Sequence, residues 1–250
     1  MTDFYDRLAS LYHLIFQDWD ESIDRQARQL TSVILERWGG EPKTILDVSC
    51  GIGTQAIGLA KHGFTVAASD FSAGAVARAT VEAQRRGVHI EFSVADMRAA
   101  HAHHQRQFDV VISADNSITH LLNDDDLLLA LRQMHDCARP GGGVLLTVRD
   151  YDVEERGTGL VKPYGIREEG GKRYLIFQVW DFVGQVYDLA MYFVEDDQIS
   201  DELVTHVMRT KYNAVGTDHL LDLMRRAGFA ATERLDGRFY QPVLVGNREA

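Results

Sequence analysis

The sequence predicts a doubly wound α/β sheet of about seven strands, ending in an antiparallel hairpin and carrying an inserted antiparallel β cap. Three observations carry this expectation. Between Thr44 and Asp70 a short apolar run, a glycine turn, a helical period and a second apolar run ending in an acid follow one another. Apolar runs and helical periods then alternate as far as Val148, the pattern of a parallel sheet covered on both faces. Past residue 153 the alternation stops, and three strand-like runs with short links succeed one another as in a meander.

Residues 2–38 read as helical, with Phe4, Leu8, Leu11, Tyr12 and Ile15 and then Ile23, Ala27, Leu30, Ile34 and Leu35 at spacings of three and four. Gly39-Gly40-Glu41-Pro42 breaks this helix. Ile45-Leu46-Asp47-Val48 suits a buried strand; Gly51-Ile52-Gly53 turns the chain; Ala56, Ile57, Leu59 and Ala60 mark a helix that ends at Gly63. Phe64–Ala68 is a second strand closing on Asp70, and Ser72 caps a helix running to about Arg86. His89–Val94 is a third strand stopping at Ala95-Asp96-Met97, and Phe108–Ser113 a fourth delivering Ala114 to His120 to the same rim. Asp124-Asp125-Asp126 complements the dipole of a helix over Leu127–Ala138, and Arg139-Pro140-Gly141-Gly142-Gly143 turns into a fifth strand, Val144–Val148.

Glu154 to Gly171, rich in glycine and charge, reads as a loop, followed by strands at Arg173–Phe182, Val186–Val194 and Leu203–Asn213. Asp218–Ala227 is an amphipathic helix, and Phe229–Leu235 with Tyr240–Val245 forms the closing pair. The implied organisation is an N-terminal helical segment (1–43), a core (44–152 and 214–250) and a β-meander cap (153–213) set over the ligand crevice.

The formal net charge of −11 and the absence of long basic clusters exclude phosphate-backbone binding as the main role, so no nucleic-acid partner is expected. No apolar run approaches the roughly 18 residues of a membrane span, and the first residues lack a basic region followed by an apolar core. Cys50 and Cys137 have no metal spacing and read as reduced thiols of a cytoplasmic protein, and with neither a nucleic acid nor a membrane expected as partner, a small-molecule substrate is the default. A homodimer is an admissible assembly. His101, His103 and His104 lack an acid or cysteine at ligand spacing and read as solvated loop residues, so no metal is expected.

The Thr44–Asp70 unit is a nucleotide half-fold. Its glycines let the backbone pass close to a ligand, its helix start turns N–H groups toward the crevice, and Asp70 can accept both hydroxyl protons of a ribose. Gly51-x-Gly53-x-x-Ala56 also fits a dinucleotide fingerprint. Asp47, four residues before Gly51, would oppose a pyrophosphate and suits a ligand with an ammonium and a sulfonium.

Asp47-x-x-x-Gly51-x-Gly53 with Asp70 resembles the class I S-adenosylmethionine-dependent methyltransferases. The resemblance implies a Rossmann-like sheet, S-adenosylmethionine as cofactor, and a cofactor site of Asp47, Ser49, Gly51, Gly53, Gln55, Asp70, Phe71 and Ala114. It gives Asp96 the adenine amino group, Met97 the back of the ring, and Tyr5 and Tyr12 a place in an N-terminal segment folded over the cofactor.

Asn116-Ser117-x-x-His120, Arg149-x-Tyr151-Asp152 and Tyr240-Gln241-Pro242 resemble segments of glycine and glycine/sarcosine N-methyltransferases. By that likeness Asn116 and Arg149 hold a substrate carboxylate and His120 lies beside the cofactor. Ala114-Asp115 departs from the glycine-type residue expected before Asn116, and Asp150 from an asparagine.

Methyl transfer from a sulfonium needs a neutral acceptor nitrogen held in line with water excluded, and neither metal nor covalent nucleophile. Tyrosine faces can stabilise the cation, and Tyr151 and Tyr240 are the first candidates among Tyr5, Tyr12, Tyr151, Tyr174, Tyr212 and Tyr240. The expected reaction is N-methylation of an amine or amino-acid-like substrate, with small-molecule O-methylation as the alternative. A nicotinamide-dependent oxidoreductase would need a proton donor such as Tyr-x-x-x-Lys, which the chain lacks, and a non-catalytic cofactor-binding protein remains a third class.

Overall fold

The computed structural model describes residues 2–39, 43–200 and 202–249, so Gly40, Glu41 and Pro42 of the expected helix break lie outside the described residues. The N-terminal stretch is three pieces rather than one helix: α1 (Thr2–Leu8), a 3₁₀ turn (Tyr12–Ile15) and α2 (Trp19–Trp38). Asp18 starts α2 by accepting the backbone N–H of Glu21 at 2.9 Å, a local cap that interrupts the apolar period.

Strands β1 (Thr44–Asp47), β2 (Thr65–Asp70), β3 (Ile90–Val94), β4 (Phe108–Ser113) and β5 (Ala138–Thr147) are joined through α3 (Thr54–Lys61), α4 (Ala73–Arg85), α5 (Ala100–His104) and α6 (Asp124–Cys137). The expected turn at Arg139–Gly143 is therefore the first half of β5. The histidine stretch is α5 rather than a loop, with burial pushing His104 down to about 4.

After the cap come α7 (Thr217–Arg226), β10 (Ala230–Leu235) and β11 (Val243–Asn247). The main sheet is ordered β10-β11-β5-β4-β1-β2-β3, and β11 alone runs against the others, antiparallel to both β5 and β10. Tyr240–Pro242 is thus a loop before the last strand and not its beginning. Reversal of strand order between β1 and β4 opens a crevice at their carboxyl ends, where open α/β sheets take ligands.

Helix α3 lies close on α2. A Cβ added to Gly58 would stand 2.7 Å from the Ala27 Cβ and 2.8 Å from the Ile23 carbonyl oxygen. Alanine would gain about 1 kcal/mol of helix propensity but overpack a rigid contact at about 1–3 kcal/mol or more. Gly58→Ala is therefore expected to lower the thermal midpoint by about 5 °C; a calorimetric scan with an unchanged or higher midpoint would show that α2 and α3 can move apart freely.

The cap is a second sheet of four antiparallel strands, β6 (Leu160–Glu169), β7 (Lys172–Val183), β8 (Val186–Asp197) and β9 (Glu202–Asn213), in that order. Strand β6 occupies part of the stretch read as a loop. It is an edge strand whose register slips between Pro163 and Gly165, so its alternation of apolar residues is broken and proline is tolerated. One face of the cap, through Ile176, Trp180, Leu189, Met191 and Phe193, shares a core with Phe4, Leu8 and Leu14 of the N-terminal pieces. The N-terminal segment is thereby packed against the cap. Among the described residues no helix is long and apolar enough to cross a membrane.

Candidate functional site

The crevice is built where β1 and β4 end. Val48 donates its N–H to Ile112 O at 3.0 Å, and the Ser49 and Ser113 hydroxyls share a hydrogen bond of 2.9 Å. The chain then passes through Gly51 (φ 51°) and Gly53 (φ 94°), both left-handed, into α3. The two glycines serve different ends. A Cβ on Gly51 would meet nothing within 4 Å, whereas one on Gly53 would stand 2.9 Å from Ile57 Cδ1. Gly51 faces ligand space, whereas Gly53 faces its own helix and is not among the residues lining the cavity described below.

Asp70 ties this turn to β2. Its Oδ2 accepts the Gly51 N–H at 2.8 Å and its Oδ1 the Ser72 N–H at 2.9 Å. Burial raises its carboxyl above the usual range, with those N–H groups pulling the other way. A carboxylate has about four acceptor positions, so two remain for hydroxyl donors.

Asp47, one residue before the cavity lining begins at Val48, is buried behind the wall. Its Oδ1 accepts the Ser49 N–H at 3.1 Å, while its buried Oδ2 has no partner. Burial, with the nearby Asp70 adding to it, pushes its carboxyl up to about 7.

In front lies a cavity of about 270 Å³. Ser49, Gly51, Gln55, Asp70 and Phe71 reach one part of its wall; Asp96, Met97, Ala114 and His120 reach the rest; Tyr5 and Tyr12 come in from the N-terminal segment. That segment is held by Asp6, unforeseen from the sequence, whose Oδ1 accepts the Ser72 hydroxyl at 2.5 Å and the Gly74 N–H at 2.8 Å. Tyr5 adds a hydrogen bond of 2.6 Å between its hydroxyl and His120 Nε2. Burial drives His120 down to about 4, so its imidazole is neutral at physiological pH. Asp96 is not free: Arg98 grips both its oxygens and reaches on to Asp126 at 3.0 Å. Burial alone would raise the Asp96 carboxyl, but Arg98 prevails and holds it below its ordinary value.

A smaller cavity of about 60 Å³ adjoins the first beneath the cap, and both walls include Tyr5, Tyr12 and Asp115. Arg149 enters it from the end of β5. The Glu154 carboxylate lies 3.2 Å from Arg149 Nη1, the Trp180 ring lies under the guanidinium at 4.6 Å, and the buried Nε has no hydrogen-bond partner. The Arg149 ion pair therefore goes to Glu154, not to Asp150, which pairs with Arg234.

Asn116 lines the same cavity, but both ends of its amide are engaged. Its Oδ1 accepts the Arg149 N–H at 2.9 Å and its Nδ2 donates to the Tyr151 hydroxyl at 2.7 Å, which meets Tyr187 at 2.9 Å. Asn116 and Tyr151 are thus supports of the Arg149 backbone. Tyr151 is fully buried and reaches neither cavity. Tyr240, 54% exposed, reaches neither as well and donates to Asp115 Oδ1 at 2.5 Å. From the cap the aromatic wall comes from Tyr212, one of the candidate tyrosines, and from Tyr164 and Tyr187, for which alternation along strands offered the only signal.

These residues fit S-adenosylmethionine. Among the described residues of the large cavity wall, Asp70, Asp96, Asp115 and Asp126 stand against one cation, Arg98, which two of those acids already neutralise. A pyrophosphate would meet uncompensated negative charge, whereas a ligand with an ammonium, a sulfonium and ribose hydroxyls meets acceptors. The partnerless Asp47 oxygen behind the wall points to the same positive charge.

Residues 45–142 match the family model of a methyltransferase domain. The chain is 31% identical over 142 residues to a glycine/sarcosine N-methyltransferase of Aphanothece halophytica, covering 55% of this chain and 53% of the relative. It is 33% identical over 139 residues to one of Parasynechococcus marenigrum, so it spans about half the length of these curated relatives. Among solved structures, DesVI of Streptomyces venezuelae superposes with a TM-score of 0.81 at 20% identity, over 99% of this chain and 98% of that one. That likeness establishes the fold.

Proposed function

We propose that this chain, a class I S-adenosylmethionine-dependent methyltransferase by its domain and its fold, methylates the nitrogen of a small amine that also carries a carboxylate. The observation behind the reading is Arg149, a guanidinium with an unpartnered buried Nε set in a small cavity that abuts the cofactor crevice. That cavity, of about 60 Å³, is small beside the crevice of about 270 Å³ that it adjoins. An amino-acid-sized acceptor matches that room, and the curated relatives named for glycine and sarcosine act on molecules of that scale.

When bound, S-adenosylmethionine supplies a methyl group on a sulfonium, which passes to the acceptor nitrogen as the S–C bond breaks and its electron pair stays on sulfur. The protein's part is positioning. Asp70 and the Gly51 turn would hold the ribose, and Tyr5 and Tyr12 close the space between the cavities against water. Arg149, braced by Glu154 and Trp180, would take the acceptor carboxylate. His120 is neutral and already bonded to Tyr5, so its role is to orient that phenol.

Arg149→Lys tests the reading. Lysine keeps the charge and loses the planar fork, so turnover on a carboxylate-bearing amine should fall by more than about tenfold. Calorimetry should find S-adenosylhomocysteine affinity within about twofold of wild type. Equal turnover by the variant would remove Arg149 from the substrate site.

A further inference from the structure

Asp115 stands where the sequence departs from its resemblance, and its geometry has a use of its own. It is half-buried at the end of β4 and forms part of both cavity walls. Asp115 (φ 55°) and Asn116 (φ 66°) are consecutive left-handed residues, a conformation that costs a side chain and persists only when its surroundings impose it. Here β5 imposes it: the Asp115 N–H donates to Thr147 Oγ1 at 2.7 Å and the Asn116 N–H to Thr147 O at 2.9 Å. Neutral donors fix the carboxylate. Tyr240 and the weaker Gln241 contact (3.5 Å) reach Oδ1, and Tyr12 reaches Oδ2 at 3.4 Å. Among the described residues no lysine, arginine or histidine pairs with it. An anion so placed, with a long bond on one oxygen, has no partner cation among those residues.

We propose that Asp115 is the substrate-binding residue that recognises the acceptor's amino group and holds it at the junction of the two cavities. The inference rests on the amine reading above and adds a second anchor: Arg149 for the carboxylate, Asp115 for the nitrogen. An incoming ammonium gives one proton, through Asp115 and the exposed Tyr240 phenol, to solvent. The neutral amine then forms its N–C bond while a remaining N–H points to Asp115. Methyl transfer moves positive charge from sulfur to that nitrogen, so a fixed carboxylate beside it favours the transition state over the ground state. The same carboxylate discriminates against acceptors without an N–H, which would leave it unpaired.

Asp115→Asn is the test, since asparagine tolerates left-handed backbone and keeps an oxygen for Tyr240. With S-adenosylhomocysteine bound, calorimetry compares glycine with acetate, its deaminated counterpart. Wild type should prefer glycine by at least about tenfold; the variant should lose that preference while acetate and S-adenosylhomocysteine affinities stay within about twofold. Methylation of glycine should fall by about 10²-fold in kcat/KM. A merely structural residue would not move the glycine-to-acetate ratio. Wild-type binding of acetate with no preference for glycine, or a variant that keeps the preference, overturns the role of Asp115 and leaves Arg149 in place. Wild type binding neither ligand overturns the amine reading itself, and this inference with it.

Discussion

Asp70→Asn is expected to weaken binding of S-adenosylmethionine by about 10²–10³-fold while the protein stays folded. Hydrogen bonds to a charged acceptor are worth about 1.5–3 kcal/mol each. Losing charge toward two ribose hydroxyls therefore costs roughly 3–4 kcal/mol, at a factor of ten per 1.4 kcal/mol. The amide adds a local fault. The Asp70 carboxylate accepts from Gly51 on one oxygen and Ser72 on the other, whereas asparagine must set its NH₂ against one of those N–H groups. The turn that opens space at Gly51 would loosen as the ribose acceptor disappears. Because burial raises the Asp70 carboxyl, removing its charge does not by itself destabilise the ligand-free fold. Titration calorimetry with S-adenosylhomocysteine measures the loss, and an affinity within threefold of wild type would detach Asp70 from the ribose.

Asp47→Asn should do the opposite to stability. The wild-type carboxyl titrates at about 7 in the folded chain and at about 3.9 once unfolded. Between those values the folded state holds the extra proton, so stability declines as pH rises from about 4 to about 7 and is level above. At 1.36 kcal/mol per unit the penalty is about 1.5 kcal/mol at pH 5 and about 4 kcal/mol at pH 8. Asparagine keeps the Ser49 N–H bond and removes the ionisable group, leaving its own NH₂ unpartnered at about 1–3 kcal/mol. The net expectation is a ligand-free thermal midpoint higher by several degrees at pH 8, with little or no gain at pH 5. Cofactor affinity should fall, because the ionised Asp47 has lost its role opposite a cation. Wild-type binding near pH 6 should also release a proton, read from the heat in buffers of different ionisation enthalpy. A stability difference between variant and wild type that is the same at both pH values would contradict this account of Asp47.

Much of the cofactor side was readable along the chain because each strand end is a local event. A strand, its glycine turn and the next strand's terminal acid lie within 27 residues, and Asp47, Asp70 and Asp96 follow one another in strand order. Asp115 ends the fourth such strand and belongs to the same series. The signal was present, though Asp115 registered only as a replacement for a smaller residue. The substrate side was less readable. The part Glu154 plays beside Arg149, and that of Tyr187 in the small cavity, depend on how the cap folds back, and a glycine- and proline-broken edge strand concealed its first strand. Tyr151 and Tyr240 had the right residue type near the right rim, yet packing buried one behind Asn116 and turned the other to Asp115.

The sequence by itself determined the alternation of strands β1 to β5 with the helices α3, α4 and α6, the crevice at the carboxyl ends of these strands, and an acidic rim suited to a cationic nucleoside, because periodicity and turn chemistry act over a few residues. Only the tertiary structure decided that Gly53 packs against its own helix, that one Asp47 oxygen stands partnerless behind the wall, and that Asp115 joins two cavities under the cap. Those outcomes depend on which distant groups share one small volume, and side-chain burial and pairing across more than a hundred residues leave no periodic trace in the chain.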